Sequence, residues 1–365
     1  MLVDYERIDQ YTHGISVSMV KYMKKVAEKQ TPKTLQSTGA ATVTQVAETA
    51  AVSLGTVSRV MNGKQSVAPE IRRKVLTAAR SIGFVPKTST RRLGLLVDEC
   101  DEIKVSAGYE SVLTQLIEKC AHAKGLAVES FDIHHIERAL DCSMMAVVAV
   151  IFNDALAQLK DVPQLPLITI NHPMLKDGIH SIYSDHKEQG FMAARHLIEC
   201  GHKRIAFLGK GPNEWGTIQR IDGFRSAMAA AGFASPPDLL KFSDAEPIYD
   251  IISRWQKNGV TAILNFSDIA SAETLHILTN VLGAHGGRDI STITLEDVPL
   301  YQYFSPPQTV IRQPLLEMAS TAVDLAIDLS SGAVPPKKPA NICFHGELIV
   351  RESVKNLKVQ RAAGF

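Results

Sequence analysis

From Leu93 onward the chain alternates between two periods, and that alternation restricts the fold more than any other feature. Apolar runs of strand length (LGLLV, LAVESF, VVAVIF, PLITI, RIAFLG, TAILNF, ISTITL) are separated by helical stretches such as YESVLTQLIEKCAHAKG and KEQGFMAARHLIECG. Strands that alternate with helices build parallel sheets through right-handed crossovers. Seven runs are too many for one small sheet. The spacing therefore predicts an α/β core of two doubly wound parallel-sheet lobes with a cleft between them. The core is placed at residues 93 to 355, followed by a tail at 356 to 365. Ligands in such sheets bind beyond the carboxyl ends of the strands.

Upstream of Leu93 the pattern changes. Residues 41 to 86 read as a small all-α unit of three short helices. Thr42 is an N-cap for VTQVAETA, AAV is a tight turn, Ser53 caps LGTVSRVMN, and Gly63 is a stop. Pro69 opens PEIRRKVLTAARSIG, which ends at Gly83. Val46, Ala47, Ala50, Val52, Val57, Val60, Val75, Ala78, Ala79 and Ile82 are spaced to form one small core. Residues 1 to 40 carry one helical pattern, SVSMVKYMKKVAEK, and a connector, QTPKTLQSTGA. They are expected to be a disordered arm, with Met19 or Met23 as an alternative start.

The net charge of +1 hides an asymmetry. Residues 41 to 92 hold nine Lys/Arg against two acids, a net +7, while residues 93 to 365 sum to −8. A small basic unit attached to a large acidic one points to a polyanion partner for the first; the plain alternative is a solvated surface. The five cysteines are odd in number and scattered, with no CxxC, which fits a reducing, cytoplasmic compartment. No apolar run is long enough for a membrane span, and MLVDYERIDQ is no secretory signal.

In SLGTVSRVMN, Val57, Val60 and Met61 face inward. Leu54, Gly55, Ser58, Arg59 and Asn62 share the other face, which is small, polar and cationic. Such a helix fits a DNA major groove. Arg59 suits a guanine edge, Leu54 a thymine methyl, and Ser58 and Asn62 base edges or phosphates. Thr42, Ser53 and Thr56 complete the candidate DNA contacts within this unit. The two helices and their short turn form a helix-turn-helix.

VTQVAETAAVSLGTVSRVMNGKQSVAPEIRRKVLTAARSIGFVP resembles the DNA-binding headpiece of the lactose/galactose repressor (LacI/GalR) family. SIYSDHKEQGFMAARHLIECGHKRIAFLG, RIDGF, SDIAS, ISTITLED, PPQTVIRQP and LIVRES extend the resemblance over the core, in the family's order. It implies a transcriptional regulator, expected to be a repressor, that binds a pseudo-palindromic double-stranded DNA operator as a homodimer, with a tetramer as a further option. It also implies a periplasmic-binding-protein-like core with a small sugar-like effector between the lobes. Ala51 stands where the family often has Gly, Ala68 where a Ser would cap the third helix, and Lys87 where an Asn follows the Pro.

The family's linker carries a hinge helix that places a Leu in the minor groove. Here PKTSTRRL can be laid on that motif, making Leu93 the wedge, but LGLLVD makes the same Leu a strand residue. Residues 87 to 92 are therefore expected to be a short extended linker without a hinge helix, whose Lys87, Arg91 and Arg92 touch phosphates.

For the effector, the resemblance singles out Asn171 after PLITI, Arg220 in RIDGF, Ser267 and Asp268 in SDIAS, and Glu296 where Asp is usual. Trp215, in the loop leading to Arg220, is a candidate to stack on a sugar or ring. Asp98 follows the first strand. Helix capping is the alternative for Asp185 and Asp268. The set suits a polyhydroxylated ligand, a sugar acid or a purine.

No chemistry competes with this reading. GKG at 209 to 211 lacks the rest of a phosphate loop, there is no GxSxG, and the adjacent His134 and His135 do not share a face. No enzyme activity, cofactor or metal is expected. The rival reading is a sugar-sensing binding protein with weak or non-specific DNA binding.

Overall fold

The computed structural model describes residues 41–62, 64, 67–84, 91–98, 108–141, 143–331 and 338–358. The expectations for residues 1–40, Gly63 and Lys87 lie outside that set.

The headpiece consists of α1 (Val43–Thr49), α2 (Leu54–Met61) and α3 (Pro69–Ser81). Thr42 and Gln45 form a reciprocal capping box, and Ser53 caps α2. Ala68 occupies the N-cap of α3 with no side-chain bond to offer. The turn between α1 and α2 passes through Ala51 at φ 48°, a left-handed conformation that a Cβ disfavours. All ten residues expected in the small core are there, joined by Val67 and Phe84.

Beyond the headpiece the chain forms two α/β units. The first comprises the described residues within Met1–Ile103, Leu113–Tyr183 and Leu315–Ile342, headpiece included. The second comprises those within Lys104–Val112, Ser184–Pro314 and Cys343–Phe365.

One sheet contains β1 (Arg92–Val97), β2 (Ala127–Phe131), β3 (Met144–Val150), β4 (Leu167–Ile170), β5 (His180–Ser184) and β11 (Asn341–Phe344), in the order β11-β5-β4-β3-β1-β2. The other contains β6 (Ile205–Gly209), β7 (Leu240–Phe242), β8 (Ala262–Asn265), β9 (Ser291–Thr294), β10 (Thr309–Arg312) and β12 (Glu347–Ile349), in the order β12-β10-β9-β8-β6-β7. The two orders are the same path taken twice. Pairing is parallel between β1 and each of β2 and β3, and between β8 and each of β6 and β9; β12 runs antiparallel to β10. Every residue of β3 is buried, as expected for a parallel strand covered on both faces. Leu93 is 0% exposed within β1, so this leucine belongs to the sheet.

Helices α4 (Tyr109–Ala123), α5 (His186–Glu199), α6 (Trp215–Ala230), α7 (Ile248–Lys257), α8 (Asp268–His276) and α9 (Leu315–Ser330) complete the layers. Among them α5 and α6 meet backbone to backbone. A Cβ on Gly190 would lie 2.1 Å from the Arg220 oxygen, and one on Gly223 would lie 1.9 Å from the Lys187 oxygen. The glycine of RIDGF is thus a packing requirement, and it sets the height at which α6 carries Arg220.

Candidate DNA-reading face and effector site

On α2, Ser53, Leu54, Gly55, Ser58, Arg59 and Asn62 are exposed, while Val57 and Val60 are buried against the headpiece core. Leu54 is 52% exposed, an apolar group left in water at the start of a cationic face. The polar groups brace one another. Arg59 Nε donates to the Gly55 oxygen at 3.1 Å and Asn62 Nδ2 to the Ser58 oxygen at 2.8 Å. Ser53 Oγ accepts from the Thr56 amide at 3.2 Å. Thr42 sits apart, at the start of α1, with its hydroxyl engaged in the capping box.

The linker cations are placed differently from the expectation. Arg92 is the first residue of β1, and its guanidinium pairs with Glu129 at 2.8 Å and Asp141 at 3.2 Å and donates to Ser143 Oγ at 2.7 Å. That guanidinium is thus engaged by Glu129, Asp141 and Ser143 of its own unit, where a linker cation facing phosphates was expected. Arg91 is exposed and donates to the Ser330 oxygen at the end of α9.

A doubly wound sheet opens its ligand crevice where neighbouring crossovers diverge. In the second unit that point lies between β6 and β8. Arg220 reaches it from α6: Nη1 donates to the oxygen of Phe266, the residue after β8, at 3.0 Å, and Nη2 meets Glu296 Oε1, just beyond β9, at 3.5 Å. Arg220 and Glu296 are 5% and 9% exposed, so their charges attract in a medium far less screening than water. Ser267 N-caps α8 by accepting from the Ala270 amide, and Asp268 is that helix's first residue. Trp215 is the first residue of α6 rather than part of the preceding loop.

Asp98 and Asn171 lie in the first unit. Asp98 follows β1 and accepts from the Phe152 amide and from Asn153 Nδ2, at 3.2 and 2.9 Å. Asn171 follows β4, buried, at φ 56°, a strained backbone of the sort found at ligand-facing turns.

Sequence reasoning missed His186. Its ring lies 5.2 Å from that of Trp215, and Nδ1 meets Gln189 Oε1 at 2.9 Å. Burial, helped by the positive charge of Arg220, holds its imidazole well below the ordinary range, so it stays neutral. Three buried donors of the second unit, Arg220 Nε, Gln189 Nε2 and Asn265 Nδ2, have no acceptor among the described residues. A single His in a helical pattern gave no signal of this. Asp185, Glu188 and His345 also come together, with their carboxylate and ring atoms within 4.8 Å of one another. Asp185 caps α5 and Glu188 pairs with His345, which accounts for that cluster.

A three-helix unit with a cationic exposed face, carried by α/β units whose strand order opens a crevice, has the make-up of a DNA-binding regulator with a small-molecule core. Residues 42–87 match the model of the bacterial regulatory proteins of the lacI family, and residues 194–354 match that of the periplasmic binding protein-like domain. The HTH-type transcriptional repressor PurR of Photobacterium profundum is 28% identical over 346 residues, covering 87% of this chain and 99% of its own. The HTH-type transcriptional regulator AscG of Escherichia coli (strain K12) is 27% identical over 341 residues, covering 86% and 98%. Among solved structures, a CelR–cellobiose complex aligns with a TM-score of 0.62 at 24% identity, over 86% of this chain and 99% of that one. The lac repressor dimer bound to operator and an anti-inducer aligns at 0.61 and 20% identity, over 87% and 100%. The chain thus carries a LacI-family DNA-binding domain followed by a periplasmic binding protein-like domain, the make-up of a transcriptional regulator with a helix-turn-helix headpiece and an effector-binding core.

Proposed function

We propose that this regulator is a cytoplasmic repressor that binds a pseudo-palindromic operator as a homodimer, and that a sugar-like effector in the second unit sets its DNA affinity. Arg59 reads a base edge, with Leu54, Ser58 and Asn62 beside it; Arg220 orients the effector. No catalytic step or cofactor is assigned. The observation that carries the effector reading is the set of buried donors without acceptors in the second unit, Arg220 Nε, Gln189 Nε2 and Asn265 Nδ2. Buried donors normally find partners, and a polyhydroxylated ligand, rich in acceptors, supplies them. Relatives named as repressors support repression, and the cellobiose held by one structural neighbour supports a sugar.

The test is binding of the full chain to DNA from upstream of its own gene against scrambled DNA, at fixed salt, for wild type and Arg59→Ala. Specific reading requires wild type to prefer its upstream DNA by on the order of 10³, and the variant to lose that preference. A sugar panel then identifies the effector, and Arg220→Met abolishes the response. If wild type and Arg59→Ala bind both DNAs alike, the chain is a sugar-sensing binding protein and the operator reading fails.

A further inference from the structure

Arg80 lies in the last turn of α3, among the cations that make the headpiece basic. It is 5% exposed. Its guanidinium donates to five main-chain oxygens of the first unit. Nη2 reaches Met144 at 2.6 Å, Asp141 at 2.7 Å and Ala139 at 3.1 Å; Nη1 reaches Gln164 at 3.3 Å and Nε reaches Leu140 at 3.4 Å. Residues 139 and 140 end the 3₁₀ helix Ile133–Leu140, where carbonyls lack helical partners and carry partial negative charge. The planar fork of Arg suits such a fan of acceptors; a lysine ammonium does not.

The acceptor loop is itself braced. The Asp141 carboxylate accepts from the Ser143 amide at 2.8 Å and pairs with Arg92. Arg80 before the linker and Arg92 after it therefore grip the same residue, one by its main-chain oxygen and one by its carboxylate. In this seated headpiece the reading face of α2, Leu54, Gly55, Ser58, Arg59 and Asn62, is exposed. The contact leaves that face open, so it orients the reader and does not mask it.

We propose that Arg80 is a positioning residue that seats the headpiece on the first unit, so that the unit rather than the linker fixes where each reading helix points. This rests on the DNA-reading assignment of α2 only for its consequence, a fixed half-site spacing; the seating itself is tested without DNA. Backbone ¹⁵N relaxation of the full chain reports whether headpiece amides tumble with the core. In wild type they share one correlation time. In Arg80→Met, which keeps most of the apolar stem, and in Arg80→Lys, the headpiece time falls by about half or more while its own amide shifts at Val46, Val57 and Val60 persist. A wild-type headpiece that tumbles independently, or an Arg80→Met headpiece that stays locked, overturns the seating.

The consequence is read on operators selected from random duplexes and then changed by one base pair between half-sites. Wild type loses about tenfold or more, and Arg80→Met loses less than about threefold, with single-half-site binding unchanged. Equal losses in both proteins overturn the link from seating to spacing. If no operator is selected at all, the reading assignment has failed, and the relaxation result still decides the seating.

Discussion

The main-chain oxygen of Arg220 leaves no room for a side chain at Gly190, where a Cβ would come within 2.1 Å. Because that oxygen is backbone, α6 as a whole must move to accept one. Gly190→Ala is expected to cost about 1–3 kcal/mol as overpacking, seen as a lower urea midpoint. Displacing Arg220 from the Phe266 oxygen is also expected to weaken the effector response proposed for it. A variant with wild-type midpoint and wild-type response would show that the helices can part freely.

Glu296 and Arg220 form a buried pair, and removing one partner leaves a charge uncompensated. Glu296→Gln is expected to destabilise the chain by about 3 kcal/mol and to weaken effector release of DNA. An unchanged denaturation midpoint would mean that the Phe266 oxygen alone satisfies Arg220.

The headpiece carries two local defects that can be repaired. Ala51 has φ 48°, so Ala51→Gly should stabilise by about 0.5–1 kcal/mol, the relief of the Cβ clash reduced by the glycine's freer unfolded chain. Differential scanning calorimetry of the full chain measures it, and a lower transition temperature would contradict the left-handed turn.

The second defect is the missing cap at Ala68. Ala68→Ser offers a hydroxyl to the first turn of α3, with an expected gain of about 1 kcal/mol. The same transition reports it. No gain would mean that the free amides are already satisfied by water.

Acid should loosen the second unit. Burial and the charge of Arg220 hold His186 below the ordinary 6.5, and burial lowers His196 and His202 in the same direction. Below 6.5 the unfolded chain takes up protons that the folded chain refuses. Stability therefore falls as pH drops through that value, the fully buried His186 contributing up to about 1.4 kcal/mol per pH unit. His186→Gln should flatten the dependence, as read from denaturant midpoints between pH 8 and pH 5. Identical slopes in both proteins would remove His186 from this account.

What could be foreseen followed from how far the deciding contacts lie along the chain. Caps, turns and the 3.6-residue spacing of Val46, Val57, Val60 and Val75 are local, and the headpiece core was visible in them. Strands β5, β7, β10, β11 and β12 did not stand out. Several are only three or four residues long with part-exposed patterns, and β11 meets β5 across roughly 160 residues. Arg220 could be picked from RIDGF. His186 could not, since Trp215 and Gly216, distant in sequence, make its pocket. Arg80 looked like Arg72 and Arg73, because nothing local distinguishes a cation that will be buried by residues 139–164 from one left in water.

The path of the chain has a consequence for how the protein is made. Helix α9 and strand β11 return to the first unit, and β12 then closes the second. On a ribosome the headpiece can fold early, but both sheets wait with an unpaired edge, at β5 and at β10, until the last stretch emerges. Such edges invite pairing with other chains. A nascent chain arrested near Pro314 would thus present an intact DNA reader on two unfinished bodies, and rapid degradation of such fragments would matter more to the cell than for a protein whose domains finish one after another.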